Sequence, residues 1–125
     1  MTITENAAIT LLASAARTAT TSSSVFENRE HDSGTFIFDI TAVPGVDTVT
    51  FSVVGVDPTS GKTWTILAGT AQVGTGTNVY KVGPGLVAAA NATSQDRLPR
   101  RFKVTITASA ASSFTYSCSA MLAKT

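Results

Sequence analysis

Phe51-Ser52-Val53-Val54-Gly55-Val56-Asp57-Pro58-Thr59-Ser60-Gly61-Lys62-Thr63-Trp64 reads as a strand, a turn and a returning strand. Val49, Phe51 and Val53 fall on one side of the first arm, and Thr48, Thr50 and Ser52 on the other. A period of two in β-branched and aromatic residues marks a strand with one buried face. Asp57 to Gly61 carries turn chemistry: Pro58 presets φ, and Gly61 tolerates a positive φ. On the return, Thr63, Thr65 and Leu67 alternate with Trp64, Ile66 and Ala68. The phase shared by Trp64 and Ile66 predicts a buried indole.

The same pattern continues on both sides. Ala8–Ala13 predicts a first strand, and 17–25 an edge-like strand or extended arm. Glu27 to Gly34 is a polar loop, predicted to be solvated. Phe36, Phe38 and Ile40 face inward on a clear strand, which a Pro44-Gly45 turn ends. Thr77–Val82 predicts another strand, closed by Gly83-Pro84-Gly85. Residues 83–99 form the longest segment without strand character, with room for one helical turn at 86–91. Segments of that length usually serve function or an interface. Phe102, Val104 and Ile106 and then Phe114, Tyr116 and Cys118 mark two more strands, with Ala110-Ala111-Ser112 read as a hairpin loop between them. The sum is an all-β antiparallel sandwich of about seven to eight strands, immunoglobulin-like or jelly-roll-like. One domain spans 1–125, with 1–8 as a possible N-terminal arm.

Composition narrows the function. A chain of 125 residues buries enough surface to need no metal or disulfide staple. Charged residues are 14% of the chain and the net charge is +1, too little for wrapping nucleic acid by charge. Twenty-one threonines and thirteen serines give strands a wet face that is uncharged. Cys118 is the sole cysteine; its phase with Phe114 and Tyr116 predicts a buried, unreactive thiol. No apolar run is long enough to span a membrane, and Met1–Asn6 lacks the basic and apolar regions of a signal peptide. The expectation is synthesis in a cytoplasm. Without a signal peptide, Asn91-Ala92-Thr93 is not read as a glycosylation acceptor.

The candidate chemical groups are few. Glu27, Glu30, His31 and Asp32 are too rich in carboxylates for zinc and too irregular for a calcium loop. Gly74-Thr75-Gly76 and Gly83-Pro84-Gly85 lack the following helix of a phosphate cradle. A single His and no Gly-x-Ser-x-Gly elbow argue against a hydrolase. The expected catalytic, cofactor and metal sites are none. Arg97, Arg100 and Arg101, with Lys103, form the basic cluster, suited to an acidic partner surface.

Taken in order, several blocks resemble small virion proteins encoded among the structural genes of tailed bacteriophages. They are Leu11-Leu12-Ala13-Ser14-Ala15-Ala16-Arg17-Thr18-Ala19-Thr20, Asp39-Ile40-Thr41-Ala42, Val56-Asp57-Pro58-Thr59-Ser60-Gly61-Lys62 with Ile66-Leu67-Ala68, Val82-Gly83-Pro84-Gly85-Leu86 through Ala88-Ala89-Ala90-Asn91, and Leu98-Pro99-Arg100. Together they run over about residues 9 to 120. The resemblance implies a virion component on the capsid surface: a capsid decoration (cement) protein that binds the assembled head. Its partner would be the major capsid protein, bound by an oligomer such as a trimer. Ile3 in the N-terminal segment and Arg97, Arg100 and Arg101 are the expected contacts, with no enzyme activity, nucleic acid or membrane involved. The alternative is a tail or tail-fibre component with a glycan-binding or adaptor role, for which Trp64 and Tyr80 are the candidate aromatic platforms.

Overall fold

The computed structural model describes residues 6–124. Its strands in chain order are β1 (Ala7–Arg17), β2 (Thr21–Ser22), β3 (Phe26–Glu27), β4 (Ser33–Ala42), β5 (Val49–Val56), β6 (Thr63–Ala68), β7 (Gly76–Val82), β8 (Thr93–Ser94), β9 (Arg101–Ala108) and β10 (Phe114–Ala123). One sheet has the order β1-β10-β4-β7-β8, and the other β2-β9-β5-β6, with β3 also on β9. Every ladder is antiparallel except β7 with β8. The two sheets pack as a sandwich. Seven strands have six residues or more; β2, β3 and β8 have two each, too few to leave a period-two signature.

Phe36, Phe38, Ile40, Val49, Phe51, Val53, Phe102, Val104, Ile106, Phe114 and Tyr116 are each at most 2% exposed, as their shared phase predicts. Their rings interlock across the sandwich. Phe51 of one sheet stacks on Phe38 of the other at 5.8 Å and meets Phe36 at 6.1 Å. Tyr80 lies parallel to Phe51 at 4.5 Å. Phe36 meets Phe102 edge-on at 5.8 Å, and Phe38 meets Tyr116 edge-on at 5.3 Å. Such pairs add about 0.5–1.5 kcal/mol each beyond the area they bury.

The β5–β6 turn forms as its residues dictate. Asp57 Oδ1 accepts from Thr59 N–H at 2.8 Å and Oδ2 from the Ser60 hydroxyl at 2.9 Å. These bonds hold the Asp57 carboxyl below its ordinary range. Gly61, at φ +74°, donates its N–H to Asp57 O and takes the left-handed conformation that closes the turn.

Three expectations are corrected. Residues 110–112 are not a hairpin loop, because β9 and β10 lie in different sheets. Both edges of β9 are taken, by β5 on one side and by β2 and β3 on the other. β10 therefore crosses the sandwich and inserts between β1 and β4. Residues 86–91 form no helical turn. Ala89 instead bridges back to Thr93, each N–H donating to the other's carbonyl, and the residues that follow pair with the end of β7: Lys81 N–H donates to Ala92 O and Gly83 N–H to Ser94 O. A helix nucleus is costly, and an available strand edge outcompetes it. Ala7 and Ala8, assigned to the arm, begin β1 and pair with Leu122 and Met121. Ile3 lies outside the described residues.

Phe51 should carry an unusual share of the stability. Phe51→Ala is expected to cost about 3–5 kcal/mol, read as a lowered denaturation midpoint in urea with an unchanged slope.

Candidate functional site

The loop of 28–32 and the segment of 95–100 are neighbouring irregular stretches at one end of the sandwich. They are bound to each other. Asn28 is 4% exposed, and its side chain is the tie. Its Nδ2 donates to Pro99 O at 3.1 Å and to His31 O, while its Oδ1 accepts from His31 N–H at 3.1 Å. Its backbone N–H donates to Arg100 O at 2.6 Å. Next along the chain, Leu98 N–H donates to Asp32 O, and Asp32 N–H to Ala123 O. The Leu98 side chain is buried in the core and anchors the segment from beneath. Asn28 and Asp32 are thus buried, a correction to the solvated-loop reading. The cause is the pairing of two loops that separately could not satisfy their backbone groups.

Two ion pairs lie along the same seam. Arg97 Nη2 stands 3.7 Å from Asp32 Oδ2, with the arginine largely exposed and the carboxylate largely covered. Arg101 Nε stands 2.8 Å from Glu27 Oε1, a charge contact without hydrogen-bond alignment. The acidic loop and the basic cluster, read separately from the sequence, are one feature. Among the described residues no group of three or more His, Cys, Asp or Glu is placed to hold a metal ion; Glu27 and Asp32 each face an arginine. A cleft of about 400 Å³ opens over the seam, lined by Arg29, Arg97, Arg100 and Lys124 with Glu30, His31 and Asp32. Four cationic side chains against two carboxylates make it an electropositive surface.

Trp64 is the second feature. It is 49% exposed, which overturns the predicted burial. The reason is its place in the sheet: β6 is an edge strand, and Trp64 is its second residue, flanked by β5 alone. Val53 pairs with Leu67 and Val54 with Thr65, so Ile66 has no partner on β5. The extra residue puts Trp64 on the same face as Leu67, that of Val53 and Gly55, and out of phase with Ile66. Trp64 now stands opposite Gly55, whose missing side chain gives the indole its seat: a Cβ there would lie 2.2 Å from the ring. The ring borders a cleft of about 260 Å³ lined by Val56, Pro58, Pro99, Arg100, Arg101 and Glu27. Tyr80, the other candidate platform, is buried against Phe51 and presents no face.

Sequence reasoning places Arg97, Arg100 and Arg101 at this end but misses Asn28, Arg29 and Lys124. An Asn inside a polar run carries no sign of burial, and Lys124 reaches the cleft only because β10 ends beside Asp32. Comparisons with protein-family models, with curated proteins and with solved structures found no match.

Cys118 lies in the core, away from both clefts, and burial pushes its thiol from 9.0 up to about 12, against a small opposing pull from Arg17. A thiol reagent at neutral pH is expected to label it only as fast as the fold opens, and quickly in denaturant. Above pH 9 the unfolded chain loses the thiol proton while the folded chain keeps it. Stability should therefore fall as pH rises from 9 toward 12, and Cys118→Ala should flatten that part of the profile.

Proposed function

We propose that this chain is a virion structural protein, a capsid decoration protein that binds the assembled head by docking on the major capsid protein. The observation that supports it best is the clamped seam between 28–32 and 95–100. It holds Arg97 and Arg100 on a rigid end of the sandwich before any partner arrives. Loops on a rigid β scaffold are the usual seats of binding residues, and groups already ordered lose little entropy on docking. The electropositive cleft fits an acidic surface, where charge sets orientation and on-rate. The resemblance to structural proteins of tailed phages points to the virion, and the uncharged Thr- and Ser-rich strands suit a unit packed among many copies.

The test is co-sedimentation with undecorated capsids. Arg100 and Lys124 are exposed, and neither belongs to the ion pairs above. Arg100→Glu with Lys124→Glu should weaken attachment about tenfold or more with the melting curve unchanged, and wild-type binding should fall with salt. Failure of the wild-type protein to bind at low salt, or equal binding by the double variant, would reject this docking mode.

A second reading, a tail or tail-fibre adaptor that binds glycans, is favoured by the exposed indole of Trp64 beside Arg100, Arg101 and Glu27. An aromatic face rimmed by hydrogen-bonding groups is what a sugar ring requires. Trp64 is the sole tryptophan, so its fluorescence reports on this cleft alone. Titration with a panel of methyl pyranosides should then give a saturable spectral shift. Spectra that stay unchanged throughout the panel would remove the reading.

A further inference from the structure

We propose that the outer face of the sheet β1-β10-β4-β7 is a self-association surface on which two copies of this chain pack face to face about a twofold axis. The inference stands apart from the capsid reading and uses a different part of the molecule.

The register lays the face out in rows. Ala8, Met121, Thr35 and Lys81 are opposite one another across the four strands. The next row is Thr10, Ser119, Ile37 and Val79, and the third is Ser117, Asp39 and Thr77. Val79 is 49% and Met121 52% exposed, and Ile37 is half-buried between them and the threonines. Only Lys81 and Asp39 are charged. A broad face with apolar groups at its middle and few charges has the composition of an interface centre.

The two charges identify the occupant. Lys81 and Asp39 are on neighbouring strands, two residues to either side of the Ile37–Val79 pair. They are of opposite sign and related through the centre of the face. The ion pairs among the described residues are Arg97–Asp32 and Arg101–Glu27, so neither is matched by another described residue. Asp39 Oδ1 is held in place by the Thr77 hydroxyl at 3.2 Å. Strand spacing and rise put the two positions about 13 Å apart along the strands and about 4.8 Å across. A twofold axis lying in the interface through the Ile37–Val79 pair, tilted about 20° from the row, sets each Lys81 over the partner's Asp39. The strands of the two copies then cross at about 40°, close in size to the roughly 30° of aligned sheet packing. The same operation lays the Ile37–Val79 pair on its own copy, apolar on apolar. A self-complementary patch of this kind is what an isologous dimer needs. The surface fits two copies rather than the three expected above.

Four strands of about seven residues present roughly 450 Å² in projection. Two such faces bury an area at the low end for specific interfaces, the size class of weak, transient association.

The experiment is sedimentation velocity of the full chain over a concentration series at low salt. The wild-type protein should dimerise. Lys81→Asp and Asp39→Lys should each weaken the dimer about tenfold or more, because each leaves like charges opposed. The double variant carrying both changes should recover it. Val79→Arg, which places a charge at the centre of the face, should be monomeric, and thermal unfolding of every variant guards against simple misfolding. A wild-type protein that stays monomeric at high micromolar concentration overturns the proposal. So does a dimer indifferent to these variants, or single losses that the charge swap does not restore.

Discussion

Phe51 is the ring on which the two sheets meet. It touches Phe36, Phe38 and Tyr80 across the sandwich, so the inter-sheet distance and the lateral offset are set at one place. Sheet packing about 10 Å apart leaves room for one layer of interdigitated side chains, and a large aromatic at the centre leaves no second arrangement that fills it. The rest of the core follows outward from this contact. Phe102 is positioned by Phe36, and Tyr116 by Phe38, with the Arg17 guanidinium lying 4.7 Å from the centre of the Tyr116 ring. Arg17 also donates to Tyr116 O at 2.8 Å, so it locks the end of β1 to β10.

The topology has a kinetic consequence. β10 sits between β1 and β4, which come from the first third of the chain, so that sheet is incomplete until the last strand arrives. Pairing between distant segments closes long loops before it is rewarded. Completion of that sheet therefore waits on the C-terminal strand, a long-range dependence that slows folding.

Charge is concentrated where the chain leaves the sheets. The seam between 28–32 and 95–100 satisfies a buried Asn, several backbone groups and two carboxylates at once, and it fixes arginines outside it. A buried side chain whose hydrogen bonds are all made, as those of Asn28 are to Pro99 and His31, rigidifies its surroundings. Here it converts two loops into an extension of the scaffold. The outer face of the β1-β10-β4-β7 sheet, by contrast, has two charges of opposite sign in its three rows, and they stand out for that reason. The molecule therefore offers three chemically different surfaces: an electropositive end, a cleft beside an indole, and a flat hydroxyl-rich face with an apolar centre.

The inward phase of β4, β5, β9 and β10 was legible in the sequence, because a half-buried strand writes its burial in alternate residues: Phe36, Phe38 and Ile40, or Phe102, Val104 and Ile106, need no partner to be recognised. The 57–61 turn was legible for the same local reason. What alternation cannot carry is which strand lies beside which, since every inward face is apolar alike. That β10 crosses to the opposite sheet from β9 was decided by the occupancy of both β9 edges. That Trp64 is exposed was decided by the place of β6 at the edge of its sheet, where one strand alone flanks the indole. That Asn28 is buried, and that the acidic loop and the basic cluster are one seam, was decided by the meeting of segments about seventy residues apart. Local pattern determined the layers of this protein; pairing at long range, where geometry and hydrogen-bond satisfaction compete, determined its surfaces.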